Sequence, residues 1–360
     1  MTRIAAVAVA LLAIVMAGAS AGGAAPSVTT LVSGLNNPRG LAFGPDGYLY
    51  VAEGGTGGGL STTPTDCPQV PPPVGPYTGG FTARISRISP AGQRTIVVDG
   101  LPSSQTSPAL GNLASGVADL AFVGDELYAL MAGSGCSHGL SGTKNEILRV
   151  TANGKTSQVA DLSTYQQAHP VAQPELDDFE PDGTWYSMVA VRGDLYAVEP
   201  NHGEVVRVSP TTGAVTRVVD VSATQGHIVP TAIAYHGNFF FGNLGTFPVS
   251  PDTERVFKLT PSGQLHEWAS GLTTVLGLVF DQQDRMYVLE SMTAPGFPGL
   301  GELGTGKILQ IDPSGARRTI ASGLSFPTAM TLGPDGALYV SNLGFAGASA
   351  GQILRITIPE

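Results

Sequence analysis

Six times this chain runs through the same unit. Each copy has a small-residue turn, an apolar strand, a hairpin turn and a second strand centred on an aromatic residue; a third strand and usually a fourth follow. The first copy reads Asn37-Pro38-Arg39-Gly40-Leu41-Ala42-Phe43, then Gly44-Pro45-Asp46-Gly47, then Tyr48-Leu49-Tyr50-Val51-Ala52-Glu53. The last reads Phe326-Pro327-Thr328-Ala329-Met330-Thr331-Leu332, then Gly333-Pro334-Asp335-Gly336, then Ala337-Leu338-Tyr339-Val340-Ser341-Asn342. A strand-sized unit repeated at a blade-like period predicts an all-β fold, a six-bladed β-propeller of four-stranded blades.

Strands are lettered A to D from the axis outward. Strand A is expected at 40–43, 119–123, 188–191, 231–235, 277–280 and 329–332. Strand B carries the aromatic anchor: Tyr50, Tyr128, Tyr196, Phe240, Tyr287 and Tyr339. Strand C, at 84–88, 146–150, 204–208, 255–259, 307–311 and 352–356, alternates apolar and polar residues about Arg87, Arg149, Arg207, Lys258, Gln310 and Arg355. That alternation suits strands packed between neighbouring sheets, and the arginines read as structural. Strand D is expected at 95–101, 156–162, 216–221, 265–272 and 318–324. The sixth blade stops after strand C. Its missing strand lies at the other end of the chain, where Thr30-Leu31-Val32-Ser33-Gly34-Leu35 echoes Thr319-Ile320-Ala321-Ser322-Gly323-Leu324. The N-terminal strand should complete the last blade, because an open ring would leave unpaired sheet edges.

Residues 1–21 read as an export signal: Arg3, an uncharged apolar run from Ile4 to Met16, and the A-x-A-like site Ala19-Ser20-Ala21. The run is shorter than the ~20 residues of a membrane span. Residues 22–26 form a spacer, and 27–360 form one propeller domain. Expected localisation is secreted or periplasmic, with no membrane insertion after cleavage. Charge is sparse and the balance acidic, with 18 Lys and Arg against 28 Asp and Glu. That excludes nucleic acid as an expected partner, since its binding rests on basic side chains neutralising phosphates. A monomer is expected.

Strand direction assigns the loops to faces. The A–B and C–D hairpins are short and rich in Gly, Asn and Asp, and they share a far face. The B–C and D–A connections share a near face and hold every long insertion: 54–82, 133–144, 163–184 and 291–305. Long loops gathered on a rigid scaffold usually carry function. Cys67 and Cys136, the only cysteines, fall on adjacent near-face insertions; in an exported chain this favours a disulfide that pins the loop containing Pro71-Pro72-Pro73.

The residues three past each strand B aromatic are Glu53, Met131, Glu199, Asn243, Glu290 and Asn342. Two readings of this ring stand. Its oxygens converge on a divalent cation such as Ca²⁺ at the channel mouth, or they satisfy loop N–H groups within each blade. Asp178-Phe179-Glu180-Pro181-Asp182-Gly183 has the opening spacing of a calcium loop, but Val189 stands where the bidentate Glu should be, so it reads as a solvated acidic loop, with ligands contributed from Asp177 to Asp182 as the alternative. His138, His169, His202 and His227 map to the near face without a metal-binding spacing and read as surface histidines. Candidate ligand-binding residues on this face are Arg39, Asp119, His202, His227, Thr231 and Thr328. No nucleophile elbow, phosphate loop or dinucleotide fingerprint is present.

The string Gly34-Leu35-Asn36-Asn37-Pro38-Arg39-Gly40-Leu41-Ala42-Phe43-Gly44-Pro45-Asp46-Gly47, with Leu49-Tyr50-Val51-Ala52-Glu53-Gly54-Gly55, resembles the opening of ScyD/ScyE proteins. The resemblance implies an exported propeller, NHL-like in its repeats, accessory to a pathway rather than of secured activity. Six-bladed relatives include gluconolactonase-like and strictosidine-synthase-like enzymes. Gluconolactonase-type sites place acidic or amide ligands at the start of strand A, where this chain has mostly Pro, Thr, Ser, Gly and Ala, with Asp119 the exception. Two functions follow. One is a ligand- or partner-binding accessory protein that meets a small molecule or a protein with its loop-rich face. The other is a metal-assisted, lactonase-like hydrolase using the Glu/Asn ring.

Overall fold

The computed structural model describes residues 26–176, 179–260, 263–293 and 302–358. Apart from Pro26, the export signal and spacer lie outside the described residues, as do Asp177, Asp178 and most of the 291–305 insertion. Six antiparallel sheets are present. Their inner strands A are Pro38–Phe43, Val117–Val123, Ser187–Val191, Pro230–His236, Val275–Phe280 and Ala329–Leu332. Five of the sheets continue outward through strands B, C and D in sequence order, and in blade 6 the outer strand comes from the N-terminus.

The ring closes as its repeats require. Ser27–Leu35 pairs antiparallel with Gly351–Thr357, Val28 facing Ile356 and Leu35 facing Gly351, and so forms the outer strand of blade 6. Register shifts break this pairing before Val32 and before Leu35. The second break is a device shared by the outer strands. Gly34, Gly100, Gly271 and Gly323 have φ of +83°, +72°, +66° and +77°, a conformation that costs glycine little. Each is followed by a leucine, and Leu35, Leu101, Leu272 and Leu324 are all buried. The glycine kink thus turns the end of the strand inward, and burying each leucine contributes about 1.5–3 kcal/mol.

Six apolar clusters lie one at each blade–blade interface, and a small seventh of Val249, Met292 and Phe326 lies among the near-face loops. The cluster between blades 2 and 3, for example, packs Tyr128, Leu130 and Ile147 against Met188, Leu195 and Val206. The cluster between blades 6 and 1 joins Leu35, Tyr339 and Ile353 to Leu41, Leu49 and Val51. The strand C arginines are structural. Arg87, Arg149, Arg207 and Arg355 pair with Asp46, Glu126, Asp194 and Asp335 of their own A–B hairpins. In three of these blades the strand B tyrosine hydroxyl donates to the same acid.

Two insertions are more ordered than their sequences suggest. In blade 1 the C and D strands extend to Thr78–Ile88 and Arg94–Gln105, and Ala114–Ser115 adds a fifth strand. After blade 2, Leu162–Ala168 is a helix where a loop was expected, because the Asp161 side chain caps it by accepting from the Thr164 N–H at 2.8 Å.

Candidate functional site

The central channel is walled by the six A strands and encloses about 450 Å³. Its walls are apolar along most of their length, with Phe43, Phe122, Tyr235, Phe280 and Leu332 toward the far face. Its near end is polar. There, hydroxyl and carboxyl groups tie four of the inner strands to the next blade. Asp119 of blade 2 accepts the Met188 N–H of blade 3 at 2.7 Å. Ser187 Oγ donates to the Thr231 carbonyl of blade 4 at 2.6 Å. Thr231 Oγ1 donates to the Val275 carbonyl of blade 5. Thr328 Oγ1 of blade 6 donates to the Pro38 carbonyl of blade 1 at 2.6 Å. The Thr231 and Thr328 hydroxyls, expected to face a ligand, therefore donate to neighbouring blades.

Tyr186, which the repeat pattern did not single out, spans this end. It precedes strand A of blade 3, and its hydroxyl donates to the Thr328 carbonyl of blade 6 at 2.6 Å. Blades 3 and 6 are opposite in a six-bladed ring, so the side chain crosses the channel. It lies beside both Arg39 and Asp119, and burial raises its pKa well above the ordinary tyrosine value.

Asp119 is the one carboxylic acid among the described residues that line the channel. Its Oδ1 accepts its neighbour Leu120's N–H at 2.8 Å. Burial pushes its pKa up to about 7, although the two N–H donors pull the other way. Part of its surface opens on the lumen. Gly40 makes room for it: a Cβ there would stand 1.8 Å from Asp119 Oδ1 and 2.6 Å from its Cα. Arg39 is only 9% exposed. One Nη donates to the Ala114 carbonyl, and the Phe345 ring lies 4.5 Å from the guanidinium carbon.

The structure thus brings Arg39, Asp119 and Thr328 together around Tyr186, with Thr231 one blade further on. His202 and His227 lie elsewhere. His202 is buried in the near-face loops; its backbone N–H goes to Glu199, its Nε2 meets the Glu180 carbonyl at 2.9 Å, and Phe179 packs on its ring. His227 is half-buried, which lowers its pKa, while Glu175 and Glu199 oppose that shift. Neither His138 nor His202 is a surface residue. His138 is fully buried between Ser104 Oγ at 2.9 Å and the Gly183 carbonyl at 3.1 Å, and burial lowers its pKa.

The Glu/Asn ring does not fit a cation. Its members bond to the loops of their own blades. Glu53 accepts the Asn36 N–H at 2.8 Å and pairs with Arg94. Glu199 accepts from the Thr184 and His202 N–H groups. Glu290 accepts the Thr273 N–H at 3.0 Å and pairs with Lys307 at 2.9 Å. Asn342 accepts the Ser325 N–H at 3.0 Å, while Asn243 accepts the Arg255 N–H and donates to the Ile228 carbonyl. Most of these bonds clamp the segment that enters strand A. Among the described residues no three His, Cys, Asp or Glu side chains are grouped to hold a metal ion. The acidic segment is not solvated either. Glu180 and Asp182 are buried, Glu180 accepting from the Tyr77 hydroxyl at 2.6 Å and Asp182 from Ser137. Cys67 and Cys136 form the expected disulfide between the insertions of blades 1 and 2.

No protein-family model matches the chain, and no curated protein matches its sequence. Solved structures match its fold. A Bacteroides thetaiotaomicron protein of unknown function has a TM-score of 0.59 at 14% identity, over 92% of this chain and 76% of its own. The PQQ-bound aldose sugar dehydrogenase of Streptomyces coelicolor has 0.53 at 14% identity, over 92% and 98%. A Xanthomonas campestris gluconolactonase has 0.53 at 11% identity, over 92% and 89%. At these identities the likeness is one of fold. The chain is a six-bladed β-propeller of the architecture shared by such proteins.

Proposed function

We propose that this propeller is an exported small-molecule hydrolase of the lactone-opening kind, working at the near end of its central channel. The supporting observation is Asp119, a channel-wall carboxyl held near neutrality by burial. A group of that pKa can take a proton from water as water attacks a lactone carbonyl, and return it to the ring oxygen as the C–O bond breaks. The proposal needs no metal, and the Glu/Asn ring takes no part in it. The fold likeness to a gluconolactonase is consistent with this reaction class. The test is hydrolysis of a panel of lactones, neutral and carboxylate-bearing, by the purified chain. Activity should rise through about pH 7 and fall at least a hundredfold in Asp119→Asn, as expected for loss of a general base. Turnover unaffected by that substitution would end the proposal.

A second reading follows from the two N–H groups that Asp119 already accepts. They make it a strut between blades, and a strut with no chemistry leaves a ScyD/ScyE-like accessory role in which the near face only binds. Saturable binding without turnover would favour it.

A further inference from the structure

We infer that Arg39 is the receptor for a carboxylate, so that the small molecule taken at the near end of the channel is a monoanion on a flat or apolar body. The inference rests on the reading that places the ligand at this end, but it does not depend on turnover. A guanidinium buried as deeply as Arg39 is normally matched by a carboxylate, because desolvating an unpaired charge is costly. Three buried carboxylates are matched by a cation, Glu53 by Arg94, Glu204 by Arg217 and Glu290 by Lys307, while buried Glu199 is held by loop N–H groups instead. Among the described residues Arg39 has only neutral partners, namely the Ala114 carbonyl, the Tyr186 hydroxyl beside it and the Phe345 ring.

Asp119 does not serve as its counter-ion. Its oxygens accept the Leu120 and Met188 N–H groups, and no hydrogen bond or ion pair joins it to the guanidinium. Arg39 also lies outside the channel wall that contains Tyr186, Asp119 and Thr328, on the side of the near-face loops. Its remaining N–H donors are not sealed in the interior. They keep a small contact with solvent. The planar fork of arginine matches a carboxylate, and one guanidinium flanked by Phe345 and Tyr186 suits a monoanion with an apolar body better than a compact dianion.

The experiment is calorimetric titration of the full chain with benzoate, acetate and inorganic phosphate, on wild type and Arg39→Gln. Benzoate should bind at one site, more tightly than acetate or phosphate, and Arg39→Gln should weaken it at least tenfold, as loss of a charge-assisted hydrogen bond would. A second variant guards against misfolding. Without ligand, Arg39→Met should melt no lower than wild type, because it removes an unmatched buried charge. Failure of the wild type to bind benzoate, or equal binding by Arg39→Gln, overturns the inference. So does a large loss of melting temperature in Arg39→Met, which would make Arg39 a structural latch. Loss of lactone turnover with benzoate binding intact would instead strike only the hydrolase reading.

Discussion

Asp119→Asn isolates the cost of holding a carboxylate in the channel wall. The folded carboxyl titrates near 7, against 3.8 ordinarily. A raised acid pKa means that the folded state holds its proton where the unfolded chain has lost it. This contribution is therefore fully present below about pH 4, declines as pH rises toward 7, and is absent above that. A shift of about three pH units corresponds to about 4 kcal/mol at 1.36 kcal/mol per unit. That is a ceiling, because the lumen side of the carboxyl reaches water. The Asn variant cannot ionise. It does place its own amide against one of the N–H groups of Leu120 and Met188, at a constant cost of about 1–3 kcal/mol. Urea unfolding, followed by the fluorescence of the buried Trp185, should therefore show the wild type losing up to about 4 kcal/mol relative to the variant between pH 4 and 8. The variant should be the less stable protein at pH 4 and should match or exceed wild type at pH 8. Parallel stability curves across that range would mean that Asp119 titrates normally, and its part in both the channel and the proposed chemistry would fall.

Three further outcomes are expected. Replacing both cysteines by Ser opens a loop of 69 residues, and unfolded-chain entropy sets the loss at up to about 4 kcal/mol; a loss under about 1 kcal/mol in chemical denaturation would show that the two insertions are held by other contacts. Deleting residues 27–35 removes seven paired positions and the buried Leu35, so the melting temperature should fall and the exposed edge of Gly351–Thr357 should promote association; an unchanged melt would contradict closure of the ring by this strand. Gly40→Ala drives a Cβ into the Asp119 backbone as well as its side chain, so rotation cannot relieve it, and a loss of about 1–3 kcal/mol should appear together with loss of the Asp119 titration.

Much of this fold is legible in the sequence because a propeller is a sum of local units. Period-two alternation marks the strands, Gly and Asp mark the hairpins, and the echo of Thr30–Leu35 in Thr319–Leu324 announces the closing strand. Each signal lies within a few residues or repeats at a fixed interval. The pairing of Cys67 with Cys136 is legible for the same reason, since blade order places their insertions side by side.

The site is different. Whether Glu53, Glu199 and Glu290 reach toward a shared ion or toward their own loops depends on partners such as Asn36, Thr184 and Thr273, which the repeat does not weigh. His138 and Glu180 read as surface groups because they sit in long polar loops, and only the packing of three neighbouring insertions buries them. Tyr186 carries no motif. It matters because ring closure sets blade 3 opposite blade 6, which brings a tyrosine from one side of the channel onto a carbonyl of the other. Alternation and turn chemistry are properties of neighbours along the chain, and these the sequence determined alone. Contacts across the axis, the burial of Arg39 without a counter-ion and the raised pKa of Asp119 depend on distances between remote segments, and only the closed ring decided them.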